Sequence, residues 1–497
     1  MNNVQKLLGE EKVQKALDYL KQDAGNILKE QLEIVTIPAP SNDEGERTED
    51  FARRLREMGY EPVIDKVGNV YAKIPGTDPE GPTVMVAGHL DTVFPRTLPL
   101  EVKEKDGVYH CPGICDDTRA LAEVLSLARA FKETGLKPRA NLLLCGNVGE
   151  EGLGDLRGTK ELFRTLPIDA FVSLDHWGVE EILLDATGSK RYKITYTAEG
   201  GHSFGAFGKP NPIHAMGRAI AAISELHGLK EPKTTFNVGV VSGGTSINSI
   251  PCETHMLVDI RSNSAQELEK LESTILDMAR KAAQEETDHW KHEDHVNVII
   301  EKIGDRPAGS QPHDGIMAET FSQVMEAMGK TMHISEAGST DCNVPVSLGV
   351  PAAVLRRAHG AALHRSAGRL TRRERTAAQA IEESCFSNRN RRLQTGAKDR
   401  KMNKRRGLHG RAVCVPGGQP QSGERDAAAG LTGCLHRGVL PPQCVLYVVS
   451  AYGKCTFASV RKTGSCLFHF LLKAEKQIVF RWDISSSITC LMWVLVF

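Results

Sequence analysis

The sequence predicts an α/β fold: a mixed, mainly parallel sheet interrupted by an inserted α+β domain. Three observations predict it. TVMVAG (Thr83 to Gly88), ANLLLCG (Ala140 to Gly146) and AFVSL (Ala170 to Leu174) are unbroken apolar runs of strand length, the pattern of strands buried on both faces. Helix-like segments such as ALAEVLSLARAFKE, Ala120 to Glu133, alternate with them, as in parallel sheets. Between residues 190 and 304 the rhythm changes. RYKITYTAEG, PIHAMGRAIAAISELHG, TTFNVGVV, ETHMLVDIRS, AQELEKLESTILDMARKAAQEE and HVNVIIEKI read strand, helix, strand, strand, helix, strand, the order of a ferredoxin-like split βαβ sandwich.

Taken in order, the runs of the main sheet lead into acids or imidazole. The first leads into His89 and Asp91 in GHLDTV, and Asp116 and Asp117 of GICDDT precede the first helix. The second leads to Glu150 and Glu151 in VGEEG, and the third to Asp175 in SLDH. Open α/β sheets bind ligands outside the carboxyl ends of their strands, so these clusters are expected to face one crevice. A lone His-x-Asp or Glu-Glu is most often a solvated turn. Several acids converging in one crevice would repel one another by several kcal/mol unless cations lay between them, so the combination reads as a two-metal site.

Imidazole and carboxylates suit zinc, cobalt or manganese, and one carboxylate can bridge ions about 3.5–4 Å apart. His89 and Asp91 fall on the same face of an extended strand end, which lets Asp91 hydrogen-bond the far nitrogen of a metal-bound His89. Adjacent Glu150 and Glu151 point different ways. One can therefore bind metal while the other takes a proton from water.

GHLDTV, the GICDD stretch, GEEGLGDLRG, SLD, EGGHSFGAFGKPNPIHAMGRAI and NSIPCETHMLVDIR resemble the di-zinc amidohydrolases and peptidases that include aminoacylase, peptidase T, glutamate carboxypeptidase and succinyl-diaminopimelate desuccinylase. The resemblance runs from about the N-terminus to residue 364. It implies a zinc-peptidase-like catalytic domain in two parts, 1–189 and 305–364, around a lid and dimerisation domain at 190–304. It also implies that His89 and Asp175 bind one metal, Glu151 the second, that Asp116 bridges, that Glu150 is the general base, and that Asp91 orients His89. The second ion normally takes one more histidine. His364, in HGAALH after the apolar run GVPAAVL, is the candidate and His359 its rival.

Within the lid the same resemblance gives His202, in the GGHS turn, a role in stabilising the oxyanion. Arg261 becomes a clamp for a substrate carboxylate, and Asn248 a donor to the substrate carbonyl or carboxylate. Ser339, Thr340, Asp341 and Asn343 in GSTDCN resemble a stretch lining the cleft. A homodimer through the lid is implied as well.

Length and composition set outer bounds. A chain of 497 residues can hold two or more domains. The charged start MNNVQKLLGEEKV has no secretory apolar core, and no apolar run reaches the roughly 20 residues of a membrane helix. Twelve cysteines without a signal suggest reduced thiols and a cytoplasmic setting.

The formal charge is zero but unevenly spread: residues 365–497 carry +15, the preceding residues −15, and seven of the twelve cysteines lie in that last stretch. A basic nucleic-acid arm is one reading of such a segment. The jump in composition in mid-domain, together with periodicity that fades after about Glu383, favours a shifted reading frame or a fused unrelated segment, and no nucleic-acid partner is expected.

The sequence therefore leads to amide hydrolysis by a metal-bridged hydroxide, with two divalent ions, zinc before cobalt or manganese, and a small peptide as substrate. An N-acylated amino acid is the alternative. A reading of another class is an inactive metal-binding or dimer-forming protein, should the atypical tail have cost the chain its last histidine.

Overall fold

The computed structural model describes residues 3–357 except 106 and 179, together with Leu446–Val449, Cys455–Ala458 and Leu491. Two compact units divide the chain: 1–381 with 482–497, and 382–481. In the second, the described residues form one antiparallel ribbon pairing Leu446 with Ala458 and Val449 with Cys455.

The first unit is built on an eight-stranded sheet. Its order is Val63–Ile64, Val70–Ile74, Asn141–Asn147, Thr83–His89, Ala170–Trp177, Ala352–Arg357, Glu181–Leu183, His333–Ile334. The four central strands are mutually parallel and the flanking pairings are mainly antiparallel, so the sheet is mixed and mainly parallel, as the unbroken apolar runs predict. Asn141–Asn147 is buried along its whole length and Thr83–His89 at every position but the first. Helix Thr118–Thr134 packs on the Thr83–His89 strand. Its approach is so close that a Cβ on Gly88 would stand 2.9 Å from the Ala120 methyl, which makes glycine the residue that fits beside His89. Leu491 is buried in the same core as Val84, Leu121 and Phe321.

Register fixes where the strand ends lie. His89 pairs with Asn147 and Ala87 with Ser173, so Asp175, two residues beyond Ser173, comes level with His89.

From Gly188 to Arg306 the chain builds a separate four-stranded antiparallel sheet ordered Thr234–Gly243, Glu253–Ser262, Gly188–Thr197, Asn297–Arg306. Helices Pro212–Ser224 and Ala265–Trp290 pack on it around Tyr192, Ile194, Tyr196, Met256 and Val258. Asn211 accepts the Ile213 N–H at 2.9 Å and Ser264 lies 3.4 Å from the Glu267 N–H, so side chains that cap start both helices. On Glu253–Ser262 the even-numbered residues are buried and the odd ones are more open, the alternation of a sheet covered on one face. The first and last strands in sequence run two residues past the 190–304 expected, because Gly188 pairs with Ser262 and Ser189 with Arg306.

Candidate metal centre and active site

The strand ends bring two groups of ligand atoms together. His89, Asp116, Asp117 and Asp175 form one, and His89, Glu150 and Glu151 the other, each with its ligand atoms within 4.8 Å of one another. His89 is buried; its Nε2 lies 3.1 Å from Asp116 Oδ1 and its backbone N–H donates to Asp117 Oδ2 at 2.9 Å. Asp116 stands at the mouth, its side chain 57% exposed, joined to Asp117 by a cis peptide. Asp175 and Glu150 are buried.

Asp91 does more than the sequence suggests. His89 Nδ1 is 3.0 Å from the main-chain carbonyl of Asp91 and 3.5 Å from its carboxylate. That carboxylate also accepts the backbone N–H groups of Glu150 and Glu151, each at 2.9 Å, and the Ser41 hydroxyl at 2.6 Å. It therefore holds the loop that carries both glutamates. Arg47, almost fully buried, supports the turn from below by donating to the Leu90 carbonyl at 2.7 Å and the Ile37 carbonyl at 2.6 Å. Just before the acids, Gly149 sits at φ +70° with Arg157 packed where a Cβ would project, a position that excludes other residues.

Crowding of acids perturbs their protonation. Burial raises the Glu151 carboxyl, and Asp116, Asp91 and Asp175 add to it against the pull of His89, giving a pKa of about 8. Glu150 rises well above the carboxylate range through burial and Glu151, although Arg306 and His89 oppose this. Burial alone would depress His89, but Asp117, Asp116 and Asp91 carry it well above its ordinary value. Asp91 is held below its ordinary value despite burial, through His89, Ser41 and the Glu151 N–H. Such a cluster of proton-holding carboxylates with one imidazole is the donor set that oxygen- and nitrogen-loving divalent ions take, so the residues fit a metal.

The residues expected to act from the inserted domain lie elsewhere on the fold. His202, exposed, is on the short ribbon Gly201–His202 with Ser249–Ile250, where its Nδ1 faces the N–H groups of Phe204 and Gly205. Asn248 joins it there, its carbonyl accepting the Ser203 N–H at 2.9 Å. Arg261 points to Asp259, Nε to Oδ2 at 2.7 Å. Asp341 of GSTDCN is buried against Asn147 and Thr159, and Asn343 ties the carbonyls of Thr187 and Pro307. His364 and His359 lie outside the described residues.

Two contributors escape the sequence reading. Asp117 was visible beside Asp116 but received no role of its own. Arg306, at the end of strand Asn297–Arg306, lies 3.3 Å from Glu150 Oε1, and no local motif marks it.

Residues 85–381 match the model of peptidase family M20/M25/M40. Among curated relatives, the protein YqjE of Bacillus subtilis is 26% identical over 65% of this chain and 88% of its own length. A succinyl-diaminopimelate desuccinylase of Alkalilimnicola ehrlichii is 26% identical over 46% of this chain. The chain spans 66% of that desuccinylase and 44% of a Thermococcus kodakarensis hydrolase to which it is 30% identical. Of solved structures, aminopeptidase PepT of Bacillus cereus superposes with a TM-score of 0.55 at 22% identity, covering 67% of this chain and 90% of its own. That likeness establishes the fold.

Proposed function

Since the chain belongs to peptidase family M20/M25/M40 and is a metal-dependent hydrolase of peptidase or amidohydrolase type, we propose that it cleaves amide bonds in di- or tripeptides. The observation that carries this reading is the convergence of His89, Asp175, Glu150 and Glu151 at the ends of parallel strands with Asp116, just before helix Thr118–Thr134. His89 and Asp175 would hold one divalent ion, Glu151 the second together with His364, and Asp116 would bridge. Zinc is first among zinc, cobalt and manganese; when bound, the pair supplies a Lewis acid for the substrate carbonyl and acidifies water.

The chain's own residues do the rest. Glu150 takes the proton of the attacking water and returns it to the leaving amine, a task that suits a carboxyl whose pKa lies above its ordinary range. Asp91 fixes the backbone of both glutamates and so keeps base and ligand apart. His202 donates to the oxyanion, and Arg261 and Asn248 receive the substrate carboxylate from the lid. The lid also excludes water. An N-acylated amino acid is the second reading, favoured by the similarity to the desuccinylase.

Metal content of the purified protein, with hydrolysis of trialanine and N-acetylalanine, tests the proposal. Two ions with trialanine turnover support it. Turnover of N-acetylalanine alone moves the substrate to the second reading, and fewer than two ions without turnover refutes both. A homodimer through the lid is inferred as well, and light scattering giving the monomer mass would refute it. The edge strand Thr234–Gly243 supports this inference, since Val241 is 55% exposed on it.

A further inference from the structure

The loop carrying Glu150 and Glu151 is held from two sides. From the main sheet Asp91 takes its N–H groups. From the lid two guanidinium groups take its carbonyls. Arg306, 4% exposed, donates through Nη2 to the Glu150 carbonyl, while Nη1 is 3.3 Å from Glu150 Oε1 and 3.2 Å from Ser339 Oγ. Arg191 donates through Nη1 to the Gly152 carbonyl at 2.7 Å and through Nε to Asp259 at 3.1 Å. Register places these arginines on one face of the lid sheet, since Ser189 pairs with both Arg306 and Arg261 and Arg191 pairs with Asp259.

We propose that Arg306 is a positioning residue for Glu150, fixing the direction of its carboxylate through a fork that grips the side chain and the backbone of the same residue. The proposal rests on Glu150 being the base. Two physical arguments support it. A carboxylate beside Glu151, with Asp341 also acting on it, is pushed away from the other acids, and a planar fork with two anchored donors resists that push where a point charge would not. The fork is also buried, with Arg306 4% and Glu150 6% exposed, so its electrostatic hold is stronger than it would be in water. Arg306 belongs to the lid and Glu150 to the main sheet, so the base would be aimed by the domain that carries His202 and Arg261.

The test compares Arg306→Met, Arg306→Lys, Glu150→Gln and the double variant Arg306→Met with Glu150→Gln. Metal content is measured alongside kcat and KM on trialanine and N-acetylalanine. Both Arg306 variants should keep the wild-type ion content and lose roughly 10- to 100-fold in kcat, the scale of a misplaced reacting group, with KM little changed. Lysine keeps the charge without the fork and serves where methionine fails to fold. In the Glu150→Gln background Arg306→Met should cost nothing further, because the group it aims is gone. Full additivity of the two losses, loss of metal in Arg306→Lys, or a wild-type kcat in either single variant overturns the proposal. Full turnover by Glu150→Gln would instead remove the base assignment, and the proposal with it.

Discussion

Metal removal should turn the active-site acids into a liability that grows with pH. Glu151 rises from 4.5 to about 8 in the folded, metal-free chain, so between those values the folded state holds a proton that the unfolded state has released. Stability therefore falls as pH rises through that window. The full rise corresponds to at most about 5 kcal/mol; the side chain is only partly buried, and solvent screening brings the expected loss to about 2–3 kcal/mol. His89, also raised, acts in the same direction above its ordinary 6.5. Asp91 is lowered from 3.8 and loses its contribution only in acid, outside the window. Thermal unfolding in chelator at pH 5.5 and pH 8.5 should show the melting temperature lower at the higher pH by roughly 5 °C. Excess zinc should shrink or reverse the difference, because bound cations replace the protons. Glu151→Gln should reduce the slope of the metal-free profile, the remainder coming from Glu150 and His89. A metal-free chain equally stable at both pH values, or more stable at the higher, would refute the reasoning.

Glu150→Gln should retain both ions while turnover drops by several powers of ten, since a base is lost and no ligand is; metal analysis beside kinetics checks it, and ion loss would contradict the division of labour between the two glutamates. His89→Ala should lose one ion and all activity with the sheet still folded by circular dichroism, and a variant holding two ions would sink the ligand assignment. Asp91→Asn should cost about 2–3 kcal/mol in denaturant unfolding, because an amide presents a donor to one of the two N–H groups that the carboxylate accepts; near-neutral behaviour would mean that Asp91 acts only on His89. Ending the chain at Glu383 removes Leu491 from the core, so the shortened chain should lose about 2–3 kcal/mol yet keep its metal content, and unfolding outright would refute the view of the tail as foreign to the fold.

The main sheet was legible because its strands are buried on both faces and carry continuous apolar sequence, a signal that needs no partner to be read. The inserted domain was legible for a related reason: Met256 and Val258 alternate with more open residues, while Ile213, Met216, Ile220 and Ile223 recur at helical spacing, although the buried face is Ala215, Met216, Ala219 and Ile223 and Ile213 is exposed. The boundary was less clear. Gly188, Ser189, Asp305 and Arg306 carry no apolar signal, and only pairing across the sheet shows them to be strand.

The site divides along the same line. His89, Asp116, Glu150, Glu151 and Asp175 could be found because each follows or adjoins its own apolar run, and the direction of a parallel strand dictates which end is open. What holds these groups in place depends on contacts between segments far apart in sequence, and no local pattern encodes them. Asp91 is two residues from His89, which suggested a partner for the imidazole; its carboxylate, 3.5 Å from the His89 ring, also takes N–H groups 59 and 60 residues away. Arg306 is 156 residues from Glu150. Ligand types and strand ends thus announce that a metal can bind, whereas the loop of Glu150 is held by two long-range contacts, Asp91 from the main sheet and Arg306 from the inserted domain. A variant that spares every expected metal ligand and Glu150 and changes only Asp91 or Arg306 should therefore separate metal binding from turnover, a separation that the ligands themselves cannot give.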